Sequence, residues 1–188
     1  MMTNQLSIHT RDEFRAWLSA HHSSEKECWV VVKRGHPTDE EHFWYLDAVE
    51  EALCFGWIDS VWKKIDGVMW SRFTPRQKRS PWTELNKERV RRLERLGLMT
   101  DAGRKVLPKM GPRSFKVDSD VEKALKEAKA WSAFKSFPAL YQRIRAYNVA
   151  FYKGKDRESY EKAIHHLIEE TLKGKMYGEW DDYGRLSQ

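Results

Sequence analysis

Apolar positions recur along this chain with two different spacings, and the change from one to the other outlines its parts. Phe14, Trp17 and Leu18 share one face of a helix that Thr10-Arg-Asp-Glu13 opens as a capping box and His21-His22 should end. Cys28-Trp-Val-Val-Val-Lys33 is a continuous β-branched run, which predicts a strand buried on both faces. Gly35-His-Pro37-Thr-Asp39 breaks it as a loop. Asp47-Ala-Val-Glu50 reads as a second capping box, opening a short helix with Ala48, Ala52 and Leu53 inward and a stop near Gly56. Ile58 to Lys64 and Val68 to Phe73 alternate around Asp66-Gly67, the dipeptide preferred in two-residue turns, so a β-hairpin is predicted. Ser80-Pro81 then predicts a helix start, with serine as cap and proline where no amide is needed. That helix carries Leu85, Val90, Leu93 and Leu96 as far as Gly97, and Thr100 caps a further short one ending at Pro108.

The pattern changes at Gly111-Pro112-Arg-Ser. Beyond it the strand signal is gone and three helices are predicted. Ser119-Asp-Val-Glu122 caps the first, which runs through Val121, Leu125, Ala128 and Trp131. Ser136-Phe-Pro138 leads into the second, with Leu140, Tyr141, Ile144, Tyr147 and Phe151, and the third runs from about Arg157 to Lys173 before Gly174. The tail from Trp180 is polar and reads as loose. The expected fold class is α+β: a small sheet with a β-hairpin packed by helices over residues 1–112. A helical C-terminal region, 113–188, is expected to pack on it through its apolar faces.

Composition narrows the class. The chain is 40% apolar and 13% aromatic, which supplies a packed core and excludes disorder. Cys28 and Cys54 sit in apolar settings without metal spacing, so buried free thiols are expected and not a disulfide. No apolar run approaches the roughly 18 residues of a membrane span, and the start lacks the charged-then-apolar pattern of a secretory signal. The expectation is a cytoplasmic protein with no membrane partner. The histidine pairs His21-His22 and His165-His166 point to different faces of their helices, and no finger or HExxH spacing occurs, so no metal is expected. Serine elbows, phosphate-cradling glycine loops and dinucleotide fingerprints are absent, and no cofactor is implied.

Net charge is +6 but unevenly placed: residues 1–66 carry 7 basic and 12 acidic groups, 67–116 carry 14 and 4, and 117–188 carry 13 and 12. A local positive field attracts anions. The basic stretch adjoins Gly56-Trp57-Ile58-Asp59, where a helix hands over to a strand. Asp59 there is either a turn acceptor beside core Trp57, or a pocket-mouth carboxylate acting as acid/base or as partner to Arg72 or Arg76. Arg72, Arg76 and Lys78 lead into Ser80-Pro81, and cations before a helix N-terminus make a coherent anion site. Arg72 and Arg76, four residues apart, share a face if the strand stays regular. Trp62, Trp70 and Trp82 are either core or stacking surfaces for a flat ligand. On the next helix, Lys87 and four arginines raise nucleic acid as a rival partner, although Glu88 and Arg92 at i, i+4 spacing offer a simpler pairing.

The string Glu-Glu-Ala-Leu-Cys-Phe-Gly-Trp57-Ile-Asp59-Ser, with Arg72-Phe-Thr-Pro-Arg76 and Trp82 followed by Asn86-Lys-Glu-Arg89-Val, resembles the YdeI/OmpD-associated (bacteriocin-protection) family. The resemblance covers about residues 10–110, and more loosely the helical tail. Gln77 stands where that family often has a basic residue or proline. The resemblance implies a small bacterial α+β protein and brings no enzyme activity with it. Residues and resemblance together lead to a small anionic ligand held by Trp57, Asp59, Arg72, Arg76, Lys78, Ser80, Trp82 and Asn86. The alternatives are a nucleic-acid or protein-interaction module using residues 72–95, or an enzyme with Asp59 as acid/base.

Overall fold

A computed structural model describes residues 3–111 and 115–187 of the chain; Pro112, Arg113 and Ser114, part of the expected boundary, lie outside them. The architecture is α+β. Three strands, β1 (Cys28–Val31), β2 (Trp57–Ile65) and β3 (Val68–Pro75), form an antiparallel sheet in the order β1-β3-β2. The helices are α1 (Arg11–His21), α2 (Tyr45–Cys54), α3 (Glu84–Arg95), α4 (Asp101–Arg104), α5 (Ser119–Glu127), α6 (Trp131–Ser136), α7 (Ala139–Ala150) and α8 (Arg157–Leu172). None is long and apolar enough to cross a membrane. The chain divides into two compact units, one of residues 1–81 and 89–108, the other of 82–88 and 109–188.

In the first unit local signals and packing agree at α1. Thr10 and Glu13 form the reciprocal cap, and Phe14 and Leu18 are buried. The hairpin turns at Asp66 and Gly67, with φ of 48° and 81°, the doubly left-handed geometry of the turn that matches strand twist. Phe73 of β3 meets Phe14 edge-on at 5.4 Å, and Trp57 meets Trp17 edge-on at 5.7 Å. Helix α2 is buried along nearly its whole length and ends at a tight turn. Gly56 there has φ +76°, and a β-carbon would stand 3.0 Å from Ala102 O. Both cysteines are free and buried; burial pushes the Cys54 thiol up to about 12.

Several predicted boundaries move, each for a physical reason. The α2 helix starts at Tyr45, not Asp47, because a bridge between Lys33 and Trp44 fixes the chain two residues earlier. Asp47 is no cap; it is buried and takes Arg11 at 3.3 Å. Ser80 does not cap α3. Its hydroxyl donates to Gln77 O at 2.7 Å, closing a turn, while Thr83 Oγ1 accepts the Asn86 N–H at 3.0 Å and opens the helix at Glu84. Arg92 pairs with Glu50 at 2.9 Å in place of Glu88. Strand β1 is an edge strand, and Val31 is exposed.

The second unit closes a core of its own. Val121, Leu125, Ala130, Phe134, Tyr141 and Leu167 are buried together. Its described residues form four helices where three were predicted: Lys129 adopts φ +57° and splits the first in two, and Asp118, not Ser119, is the cap. The tail is not loose. Tyr177 and Trp180 pack on this core, with Trp180 edge-on to Tyr141 at 5.7 Å, and Leu186 is buried.

Candidate functional site

Within the first unit the expected site residues do not converge. Trp57 is 1% exposed and its indole N–H donates to His22 O at 3.1 Å, so it belongs to the core. Arg72 sits across from Trp29 in the sheet, and Asp59 across from Phe73. Directly paired residues share a face and neighbours alternate, so Asp59 lies on the helix-covered face with Phe73 while Arg72 lies on the opposite face. Asp59 therefore cannot be the partner of Arg72. The guanidinium of Arg72 is taken by Glu27 through both Nε, at 2.7 Å, and Nη2. Those bonds, led by one from the Thr3 hydroxyl at 2.8 Å, lower the Glu27 carboxyl to about 2.

Arg76 is 8% exposed and donates to Pro81 O at 2.8 Å, holding the turn that follows β3. Lys78 is exposed on that turn. Trp82 and Asn86 belong to the second unit. The same alternation separates Trp62, paired with Ser71 on the helix-covered face, from Trp70 on the other, so these rings do not form one stacking surface.

What gathers around Asp59 is a different set. Tyr45, the first residue of α2, donates its hydroxyl to Asp59 Oδ2 at 2.5 Å. The Trp62 ring lies edge-on to Tyr45 at 6.0 Å. The Arg34 guanidinium stacks on both rings, 2.9 Å from the Trp62 centroid and 4.1 Å from that of Tyr45. A bulge in β2 between Asp59 and Trp62 brings both side chains to the same end of α2. Burial first, and then the Asp59 charge, push the Tyr45 phenol well above its ordinary value, against the opposing pull of Arg89 and Arg34. Burial lowers Arg34, and Tyr45 and Asp59 offset part of that. Among the described residues Arg34 makes no hydrogen bond or ion pair, and Asp59 Oδ1 accepts no hydrogen bond.

Arg34 and Tyr45 were not foreseen from the sequence. A usable signal was present: a helix of 10 residues advances about 15 Å, which a strand covers in four or five residues. With a tight turn at Gly56, the strand positions near 59–61 must come back beside Tyr45.

The model of a family described as "Domain of unknown function (DUF8412)" matches residues 6–106, the span that contains this cluster. No curated protein and no solved structure matches the chain.

Proposed function

The chain belongs to this family of unknown function, DUF8412, and on that premise we propose that its first unit binds a small anionic ligand bearing a flat ring. One observation carries the reading: the Arg34 guanidinium sits over the Trp62 ring and beside that of Tyr45, and among the described residues its N–H groups make no hydrogen bond or ion pair. A guanidinium held between two rings loses little freedom when its edge meets a carboxylate or phosphate, and it offers two parallel donors to it. Asp59 adds an acceptor, since Tyr45 occupies only one of its oxygens. The preferred ligand carries an acid group for Arg34 and an N–H or O–H for Asp59, with its ring along the exposed part of Trp62. Kinship with the YdeI/OmpD-associated proteins is a separate proposal, supported by the residue strings at 51–60 and 72–76.

A second reading draws on the same hairpin. Trp62 is 50% exposed and shares its face of β2 with exposed Lys64, a ring beside a cation of the kind single-stranded nucleic acid uses. Against it, Arg72, Lys87 and Arg92 of the basic segment are each engaged by a carboxylate. Calorimetric titration with phenyl phosphate separates the two. Binding that falls roughly tenfold or more in Arg34→Gln but persists in Arg72→Gln supports the first reading, tenfold being the scale of a lost charged hydrogen bond. Equal affinities in both variants and the parent would sink it. Much tighter binding of an oligothymidylate, with a steep salt slope, selects the second.

A further inference from the structure

Among the described residues Arg145 is a second arginine that sits over rings without an acid partner, and it lies in the other unit. Helix α7 carries it one turn beyond Tyr141. Its guanidinium carbon is 4.7 Å from the Tyr177 ring centroid and 5.8 Å from that of Tyr141. The chain after Tyr177 passes directly over it: Gly178 has φ +68°, and a β-carbon there would stand 2.5 Å from Nη2. Nε is buried and has no hydrogen-bond partner, and among the described residues no carboxylate pairs with this side chain. A half-buried cation without an ion-pair partner is disfavoured unless something else supplies the charge.

Its surroundings make the omission specific. Arg143, two residues earlier on the same helix, is met by both Glu84 and Glu88. Glu170, the carboxylate whose field reaches the Tyr141 and Tyr177 hydroxyls, is taken by Lys173 at 2.8 Å. Beside Arg145 opens a cavity of about 350 Å³ whose wall includes Asn148, Phe151, Tyr152, His166 and Tyr177. That volume is near the lower end of the roughly 300–1,000 Å³ of small-molecule pockets, which suits a single ring with one acid group.

We infer that this cavity is an anion site independent of the first unit, taking a small aromatic carboxylate whose acid group pairs with Arg145 and whose ring packs among Phe151, Tyr152 and Tyr177. The Asn148 amide is the donor placed for the second carboxylate oxygen. An aromatic acid meets both demands of the wall at once, a counter-charge for the guanidinium and apolar area for the rings.

The experiment is an NMR titration of the full chain with benzoate, following the His166 and Tyr177 ring resonances, beside a titration with benzyl alcohol. Saturable shifts are expected with benzoate, and the neutral alcohol should bind roughly tenfold or more weakly, the scale of a lost charged hydrogen bond. Arg145→Gln should weaken the benzoate response at these two rings to the same extent, while Arg34→Gln, in the first unit, leaves the response there unchanged. If Arg145→Gln loses its circular dichroism signature, Ala163→Leu, which fills the cavity from its wall, should abolish the shifts instead. The inference is overturned by unsaturable shifts or by benzyl alcohol binding as well as benzoate. Benzoate-induced shifts of His166 and Tyr177 that survive Arg145→Gln or Ala163→Leu, or that are lost in Arg34→Gln, overturn it equally.

Discussion

Helix α2 carries ionisable groups towards both of its ends, and the two ends are completed differently. Along its middle and C-terminal part, Glu50 and Glu51 are 0% and 1% exposed. Arg11 reaches Glu50 at 2.9 Å, Glu51 at 2.6 Å and Asp47 at 3.3 Å. Arg15 reaches Glu51 at 2.7 Å and Leu98 O at 2.9 Å, and Arg92 reaches Glu50 at 2.9 Å. Three cations meet three carboxylates, and the set ties α1, α2 and α3 together. At the N-terminal end Tyr45 engages one oxygen of Asp59, and Arg34 rests on rings with its donors open. Charges that satisfy one another inside the fold hold the fold. Charges left open at its surface are available to something that is not part of it.

The sharpest way to break this comparison is to remove one charge from each end. Glu50→Ala leaves Arg11 and Arg92 without their shared buried acid and should cost about 3 kcal/mol, the lower end for an uncompensated buried pair because both arginines can still reach water. Asp59→Asn keeps an acceptor for the Tyr45 hydroxyl and should change stability by less than about 0.5 kcal/mol, as a partly exposed site away from the core would. Urea midpoints of the two variants decide it. Equal losses would place Asp59 inside the structural network and end its reading as an open site.

Tyr45→Phe comes next. It deletes one hydrogen bond to a charged group and should cost about 1 kcal/mol at neutral pH. It should also change the alkaline limb. The folded-state pKa of Tyr45 is raised by burial and by Asp59, so its contribution is present below the ordinary tyrosine value near 10 and fades as pH rises through the folded value. Stability measured across that range should fall less steeply in Tyr45→Phe than in the parent. Parallel curves would mean that Tyr45 ionises freely.

A third arginine sharpens the contrast from the opposite face of the sheet. Arg72 is committed to Glu27, whose carboxyl is depressed from about 4.5 to about 2, first by Thr3 and then by Arg72 and Trp29. A depressed carboxylate contributes stability above its unfolded value, and that contribution is lost as pH falls towards 2. Glu27→Gln should therefore unfold at higher pH during acid titration followed by circular dichroism. An unmoved acid midpoint would mean that the contact is loose in solution.

How far the sequence reaches follows the range of the interactions involved. The α1 cap and the Asp66-Gly67 turn are decided within four residues, and both are where local chemistry puts them. The start of α2 is decided by a bridge to Lys33, 11 residues upstream, which outcompetes a good local cap at Asp47. The break at Lys129 falls in a run of strong helix formers, so nothing local announces it; burial of Ala130 and Phe134 in the core accompanies it. The basic run after β3 was legible as charge but not as commitment, because the acids that take Arg72 and Arg92 lie 45 and 42 residues away. Asp59 was legible as a singular residue. Its partners were not, since they depend on β2 running back along α2.

A small expected change in stability also belongs to the residue on which the functional reading depends most. Arg34 is exposed, makes no hydrogen bond among the described residues, and contributes to folding only by resting on two rings. Such a contact at an exposed site contributes about 0.5–1 kcal/mol, and replacement by glutamine, whose flat amide keeps part of the packing, should recover some of it. Arg34→Gln should therefore shift the urea midpoint by an amount close to experimental error, far below the effect of Glu50→Ala. Its circular dichroism spectrum should match the parent's, while the fluorescence of exposed Trp62 becomes more accessible to the neutral quencher acrylamide as the side chain covering it is removed. A large loss of stability would mean that Arg34 is bound into the fold through contacts of the kind Arg11 makes. The distinction between the two ends of α2 would then disappear, and with it the reason for assigning the open end to a ligand.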